Sequence, residues 1–417
     1  MQQARVCFST SPWPIHSGRV LSARLRVIDT VRYQFDGRGI VAPEYRHVFI
    51  LPADGGTPRQ LTRGEFNHEG PLSWSQDSTH ILFHANRHPD WELQSVESDI
   101  YSIHIVTRQM TRITESPGAE SNALYSPDGK LIAYVRAENK SLAYRTSRLA
   151  IMNANGSGQK ILSGNLDSSV SNIRWSGNGR SIYVQYDERA ERKVARITLQ
   201  GVIETVASGL GGTGLGRPYL SGSYDVSVND VIAFTRGLDS RPADISVVLK
   251  NRKSRHLTDL NSDLLADMKL AQIRELIYHS SFDNQEIQGW YLTPPNFDSS
   301  KQYPLILEIH GGPHAAYGPY FSAELQLMAA AGYVVFYDNY RGSTSYGEKF
   351  ALLLQYKYAS KEDFADHMSD VDAMIDNGFI DKDNLYITGR SAGCIATAYA
   401  VGLTNRFNSA VAAKPVI

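Results

Sequence analysis

The stretch Leu-Tyr-Ile-Thr-Gly-Arg-Ser-Ala-Gly-Cys, residues 385–394, decides the fold of the C-terminal part of the sequence. A strand-like run precedes Gly-x-Ser-x-Gly, and the small residues that follow favour a helix. In a nucleophile elbow of this kind, glycines two residues before and after the serine let the strand and the helix approach closely. Gly389 and Gly393 occupy those positions. Ser391 is therefore predicted to be a nucleophile, whereas a simple helix-start cap is the alternative interpretation.

A second glycine turn, His-Gly-Gly-Pro at residues 310–313, follows a predicted strand at residues 305–309. Glycines after a strand allow backbone N–H groups to approach a substrate and to stabilise an oxyanion. We expect the N–H groups of Gly312 and Ala392 to form the oxyanion hole, with Gly311 as the neighbour that could replace Gly312. The histidines of this turn are expected to hold it by hydrogen bonds.

Residues 268–417 alternate between strand and helix patterns, and they are predicted to form an α/β domain with a doubly wound sheet that begins with a hairpin. The predicted strands are 275–280, 289–292, 305–309, 333–337, 385–388 and 410–413, and the predicted helices are 323–331, 347–358, 364–377 and 392–403.

Residues 1–267 contain a repeat instead. Four turn segments centred on Ser75, Ser126, Ser176 and Ser227 are spaced 51, 50 and 51 residues apart, and each is followed by a strand-like run. Four short strands in every ~50 residues indicate a β-propeller blade. A β-sandwich would not explain the constant spacing. We therefore predict an incomplete all-β propeller, with one or two blades missing on its N-terminal side.

Composition excludes several classes of function. With 42 Lys+Arg against 43 Asp+Glu, the chain has no basic field for nucleic acid. Its two cysteines, Cys7 and Cys394, are too few for a disulfide framework or a thiolate metal site. The glycine-rich run at residues 211–216 lacks the strand and helix of a dinucleotide loop. We expect no cofactor, no metal, no membrane span and no export signal, hence a cytoplasmic protein, and leave homo-oligomers open.

The sequence resembles the prolyl oligopeptidase family of serine peptidases, in its acylaminoacyl-peptidase and dipeptidyl-peptidase-like bacterial branch. Four segments carry the resemblance: residues 304–314, residues 339–347, the serine elbow and residues 410–417. The resemblance extends over residues 26–417. It implies an α/β-hydrolase domain whose propeller admits short peptides, and a triad in the chain order Ser, Asp, His. Arg390 and Cys394 depart from the usual Gly-Gly-Ser-x-Gly-Gly elbow of the family.

Residues 392–417 contain no Asp, Glu or His. Since the resemblance places the acid and the base downstream of the serine, we expect both to lie after residue 417 and the chain to be a fragment truncated at both ends. A serine without a base is a weak nucleophile. We therefore expect this chain to hydrolyse peptides at least about a thousandfold more slowly than a form with the whole triad.

The predicted activity is the release of N-terminal aminoacyl, acylaminoacyl or dipeptidyl units from short peptides, through an acyl-enzyme on Ser391. The alternatives are a serine esterase, which shares the elbow, and a non-catalytic propeller binding module. The charged segment 86–92 contains Arg87 and Glu92, which are candidates for recognising the substrate N-terminus. A solvated loop is the alternative interpretation of that segment.

Overall fold

The computed structural model describes residues 28–35, 37–41, 44–138, 140 and 142–415; Cys7 lies outside this part. The chain divides into two compact units, residues 1–139 with 150–160, and residues 140–149 with 161–417. The predicted domain boundary after residue 267 stays a prediction. None of the helices in the described part is long and apolar enough to cross a membrane.

Up to residue 256 the described regular structure consists of strands. These are β1 Gln34–Phe35, β2 Gly39–Ile40, β3 Phe49–Ile50, β4 Arg59–Gln60, β5 His68–Trp74, β6 His80–Ala85, β7 Asp99–His104, β8 Met110–Arg112, β9 Gly118–Tyr125, β10 Leu131–Glu138, β11 Arg148–Asn153, β12 Lys160–Ile161, β13 Val170–Trp175, β14 Ser181–Glu188, β15 Glu191–Thr198, β16 Ile203–Leu210, β17 Tyr224–Val226, β18 Ile232–Arg236, β19 Asp244–Val248 and β20 Ser254–His256.

The strands form the antiparallel hairpins that the repeat predicts. β5 to β8 make one four-stranded sheet and β9 to β12 make another. A longer sheet has the order β13-β14-β15-β16-β18-β19-β20, with β17 paired to β18. β16 and β18 meet only at Leu210 and Arg236, so the long sheet consists of two groups of strands. The number of propeller blades and the truncation stay predictions.

The repeated serine turns have a local cause. Each serine N–H bonds to a backbone oxygen four or five residues later, which closes the hairpin. In three repeats the serine hydroxyl also donates to the side-chain oxygen two residues on, a turn-forming contact of Asp and Asn. The pairs are Ser75 with Asp77 at 2.6 Å, Ser126 with Asp128 at 2.7 Å and Ser176 with Asn178 at 2.9 Å. The spacing in the sequence is thus the spacing of equivalent turns.

The α/β region contains α1 Ser262–Leu265, β21 Ile273–His279, β22 Glu286–Leu292, β23 Tyr303–Ile309, α2 Ala323–Ala330, β24 Val334–Asn339, α3 Glu348–Ala351, a 3-10 turn Leu352–Leu354, α4 Lys361–Ile375, β25 Ile380–Arg390, α5 Ala392–Leu403 and β26 Ser409–Ala413. The predicted helix 347–358 is wrong in length. It ends at Leu354, since Tyr356 and Ala359 adopt positive φ angles of 59° and 54° that a helix does not accommodate.

The sheet of this region has the order β21-β22-β24-β23-β25-β26. The first two strands pair antiparallel, as the predicted hairpin requires, and β24, β23, β25 and β26 run parallel. The central strands β23 and β24 are largely apolar and buried, and Leu307, Phe336 and Ile387 lie in one core. β23 lies beside β25, with Ile309 paired to Gly389. The loops that follow these two strands are therefore neighbours.

Candidate active site

Ser391 lies in the one-residue turn between β25 and α5. Its backbone adopts φ 57° and ψ −117°, a conformation that non-glycine residues rarely hold. The turn is fixed on its other side by β26, since the Ser391 N–H donates to the Ala413 carbonyl at 3.1 Å. The side chain is half-buried. A strained serine at the carboxyl end of a parallel strand is the geometry of a nucleophile elbow.

The two flanking glycines are required by close packing. A Cβ on Gly389 would lie 2.2 Å from the Gly393 carbonyl oxygen, and a Cβ on Gly393 would lie 2.2 Å from the Ile309 carbonyl oxygen. Real Cβ atoms do not approach oxygen this closely. The glycines therefore let β25, α5 and β23 meet around Ser391, for the reason that the sequence pattern predicts.

The glycine loop after β23 lies against the serine. A Cβ on Gly311 would be 3.2 Å from the Ser391 Cβ. The Gly311 N–H, however, donates to the hydroxyl oxygen of Tyr219 at 2.8 Å. The hydrogen bonds of the described residues include none from the N–H of Gly312 or of Ala392. The N–H groups of Gly312 and Ala392, the predicted donors, thus have no acceptor among the described residues, whereas that of Gly311 is occupied; the oxyanion role of the two donors stays a prediction.

Tyr219 is a site residue that the sequence analysis missed. It lies in the loop between β16 and β17, and this loop pairs with the chain after the glycine turn: Leu220 N–H donates to the Ala316 carbonyl at 2.9 Å. The Tyr219 ring packs on Tyr317, with ring centroids 4.6 Å apart. The loop precedes the glycine turn by about 90 residues and carries no catalytic motif, so nothing in the sequence points to it.

A buried ion-pair group lies at the edge of the same loop. The Arg217 guanidinium is 2.5 Å from a Glu308 oxygen and 2.6 Å from a Glu324 oxygen. Burial raises the pKa of Glu308 to about 7, although the Arg217 charge opposes this shift. Arg390, the bulky residue before the nucleophile, has its guanidinium 3.9 Å from Glu324. Cys394 is fully buried in α5 behind the serine.

The histidines of the glycine loop are engaged with the loop itself. The His310 ring nitrogens lie 2.8 Å from the Gly311 carbonyl oxygen and 2.9 Å from the Ser343 hydroxyl. Burial lowers the pKa of His310 to about 4, so the ring is neutral at pH 7. His314 contacts the Gly342 carbonyl oxygen at 3.0 Å. Within the described part of the chain no side chain hydrogen-bonds to the Ser391 hydroxyl, and the triad acid and base expected after residue 417 stay a prediction.

The candidates for substrate N-terminus recognition lie in the first unit. Glu92 and Trp91 help to line a cavity of 320 Å³. Arg87 is not among its lining residues: it stacks on the Phe66 ring at 4.4 Å and its guanidinium lies 2.7 Å from His68 Nε2. The structure therefore gives Glu92 access to a cavity, and the assigned role of both residues stays a prediction.

A serine on a strand-to-helix turn, beside a glycine loop on the neighbouring parallel strand, defines an α/β-hydrolase site. Comparison with protein families agrees. The prolyl oligopeptidase family profile matches residues 319–417, and the profile of the dipeptidyl peptidase IV N-terminal region matches residues 29–136.

Two curated relatives match most of the chain. A peptidase of Bacillus subtilis, YuxL, is 26% identical over 407 residues, which cover 93% of this chain and 60% of the relative. Dipeptidyl-peptidase 5 of Porphyromonas gingivalis is 26% identical over 377 residues, covering 85% and 53%. Among solved structures, the acylaminoacyl peptidase of Pyrococcus horikoshii has a TM-score of 0.76 at 21% identity and covers 94% of this chain and 59% of its own.

Residues 319–417 thus match the prolyl oligopeptidase family, and the chain as a whole shares the fold of the acylaminoacyl peptidase. The chain spans between one half and three fifths of the length of these relatives.

Proposed function

We propose that this chain carries the nucleophile and oxyanion hole of a serine peptidase that acts on short peptides. The observation that carries the proposal is the backbone of Ser391, held at φ 57° between a parallel strand and a helix. Holding a side chain in such a strained conformation costs stability, and it is typical of catalytic sites. The strain is maintained here by contacts from β23, β26 and α5 together.

The reaction starts with attack of the Ser391 hydroxyl oxygen on a peptide carbonyl carbon. A carbon–oxygen bond forms, the carbonyl oxygen becomes an oxyanion, and the N–H groups of Gly312 and Ala392 stabilise it. The N-terminus of the twelve-residue helix α5 adds favourable electrostatic potential at the same place. Collapse of this intermediate breaks the carbon–nitrogen bond and leaves an acyl group on Ser391.

The hydroxyl proton needs a base, and the leaving amine needs an acid. His310 is unsuitable for either role, because its ring nitrogens face the Gly311 carbonyl and Ser343 and its buried ring has a pKa of about 4. The chain's own contribution is therefore the nucleophile, the oxyanion donors and their alignment.

The substrate class is proposed from the relatives. Dipeptidyl-peptidase 5 is similar in sequence to this chain, and acylaminoacyl peptidase shares its fold. Both names describe removal of a short unit from a peptide N-terminus. We extend this class to the present chain: aminoacyl, acylaminoacyl or dipeptidyl units are released, with peptides as the substrate partners and no cofactor.

A fluorophosphonate probe tests the nucleophile directly in a form of the protein that has the whole triad, because it phosphonylates a serine that a base activates beside an oxyanion hole. We expect labelling of that form at Ser391, no labelling of its Ser391→Ala variant or of heat-unfolded protein, and much slower labelling of the present chain. Aminoacyl, acetyl-aminoacyl and dipeptidyl aminomethylcoumarin substrates, beside p-nitrophenyl esters, then test the substrate class.

Each alternative has its own result. Ester cleavage without any amide cleavage would identify an esterase. Binding of peptides by a folded protein whose Ser391 is inert to the probe would identify a binding module, and it would overturn the proposed catalytic role.

A further inference from the structure

Away from Ser391, three buried side chains on β24 and α4 face one another. Asp338 belongs to β24, and His367 and Asp370 lie three residues apart on one face of α4. Their exposed fractions are 0%, 1% and 0%. One ligand atom from each residue lies within 4.8 Å of the other two. The topology thus brings one imidazole and two carboxylates to a single buried point.

Five of the six side-chain polar atoms of this cluster lack a hydrogen-bond partner among the described residues. These five atoms are buried and make no hydrogen bond within the described part of the chain. They are Asp338 Oδ1, both carboxylate oxygens of Asp370 and both ring nitrogens of His367. Buried polar atoms in folded proteins are nearly always bonded. One ligand atom of each of the three residues lies within 4.8 Å of the other two, and this points to a shared ligand. His367 and Asp370 do not satisfy each other, since Nδ1 and Oδ2 are 4.0 Å apart.

Charge points to the nature of that ligand. Among the described residues no Lys or Arg forms an ion pair with Asp338 or Asp370, whereas the neighbouring Asp366 is neutralised by Arg341 at 2.8 Å. Two buried carboxylates without a counter-charge are strongly unfavourable. A divalent cation would balance them and leave the site neutral.

We propose that Asp338, His367 and Asp370 bind a divalent transition-metal ion, with Zn²⁺ the best match. An imidazole nitrogen with carboxylate oxygens suits Zn²⁺, whereas Mg²⁺ and Ca²⁺ prefer oxygen ligands alone. Zinc bonds of about 2.1 Å place tetrahedral ligand atoms about 3.4 Å apart. The three ligand atoms lie within 4.8 Å of one another, so binding an ion would draw them closer together.

The surroundings orient the ligands. The Tyr278 hydroxyl donates to Asp338 Oδ2 at 2.6 Å, which leaves Oδ1 to face the cluster. Hydrogen bonds of this kind hold metal-bound carboxylates in place. The Tyr340 ring packs edge-on against His367, with centroids 4.9 Å apart, and its hydroxyl donates to the His310 carbonyl at 3.1 Å. The ion would therefore tie β24 to α4 and support the glycine loop without touching substrate.

No local motif reveals this site in the sequence. Asp338 precedes His367 by 29 residues, and only the pairing of β24 in the sheet, with α4 packed beside it, brings them together. His367 and Asp370 alone are an ordinary pair on a helix face.

Bound metal is removed from the full 417-residue chain with the chelator dipicolinate, and the chain is then titrated with Zn²⁺ and Co²⁺. We expect about one equivalent of zinc by mass spectrometry after desalting, an unfolding temperature higher by about 3 °C or more, and a visible Co²⁺ absorption band that Zn²⁺ abolishes. His367→Gln and Asp370→Asn should each lose the bound zinc. Asp372→Asn is the matched control, because this exposed residue of α4 contacts Arg406 instead.

The proposal is overturned if the stripped wild-type chain takes up no zinc and shows neither the temperature shift nor the cobalt band. Zinc retained by a folded His367→Gln variant would also overturn it, as would equal loss from Asp372→Asn. Should the variants fail to fold, the cobalt band of the wild-type chain decides: nitrogen and oxygen ligands in tetrahedral geometry give an intense band at one equivalent. None of these measurements depends on the proposed peptidase activity.

Discussion

Gly393→Ala tests whether close packing at the elbow positions the nucleophile. The new Cβ would lie 2.2 Å from the Ile309 carbonyl oxygen and 2.9 Å from the His310 carbonyl oxygen. Carbon–oxygen contacts are normally about 3.3 Å or longer, so α5 must move by about 1 Å away from β23. Overpacking of this kind costs about 1–3 kcal/mol. The displacement acts on Ser391, which is two residues away in the chain.

Gly402→Ala is the matched control, because it lies in the same helix and an added Cβ there meets nothing within 4 Å. It should stabilise the chain by about 0.5–1 kcal/mol, since alanine favours a helix over glycine. We therefore expect Gly393→Ala to unfold at least about 3 °C below the control in thermal denaturation. In a form with the whole triad, Ser391 of Gly393→Ala should react with the fluorophosphonate probe at least about tenfold more slowly than Ser391 of the control, because a displacement of about 1 Å strongly impairs attack.

The reasoning is refuted if both variants unfold at the same temperature and react with the probe at the same rate. Slower labelling of Gly393→Ala at an unchanged unfolding temperature would show that the clash is absorbed locally, and it would remove the stability part of the prediction.

Three further predictions follow from buried or cavity-lining groups. The pKa of His310 is about 4 in the folded chain and about 6.5 when unfolded, so the unfolded chain binds more protons between these pH values. The free energy of unfolding should therefore fall by about 3 kcal/mol as pH drops from 6.5 to 4. Urea unfolding at each pH measures this fall, and folded His310→Asn should lack it. Arg341→Met leaves the buried Asp366 carboxylate without its counter-charge and should lower the free energy of unfolding by about 3–5 kcal/mol. Arg406→Met removes a surface ion pair and should lower the free energy of unfolding by less than about 1 kcal/mol in the same assay. In peptidase kinetics of a form with the whole triad, Glu92→Gln should raise KM for free-amine substrates more than for acylated ones, and an equal effect on both would remove Glu92 from the binding site.

The parts of the fold that the sequence predicted are those with local causes. The turns at Ser75, Ser126 and Ser176 depend on contacts two to five residues apart, so their repeat was visible as a spacing. The elbow is equally local: a strand, Gly-x-Ser-x-Gly and a helix of small residues require only about 15 residues of chain. The one clear error, the helix predicted over residues 347–358, arose where apolar periodicity continued past the point at which positive φ angles end the helix.

By itself, the sequence determined that Ser391 occupies an elbow, that a glycine loop follows β23, and that β-hairpin repeats precede an α/β region. The tertiary structure alone decided which backbone donors are free: Tyr219, distant in the chain, occupies the Gly311 N–H and leaves that of Gly312 open. It also decided that Asp338 meets His367 in the buried interior. The physical reason is that hydrogen-bond partners and buried charges depend on which strands become neighbours in the sheet, and strand order is set by burial of the whole core rather than by any short stretch of residues.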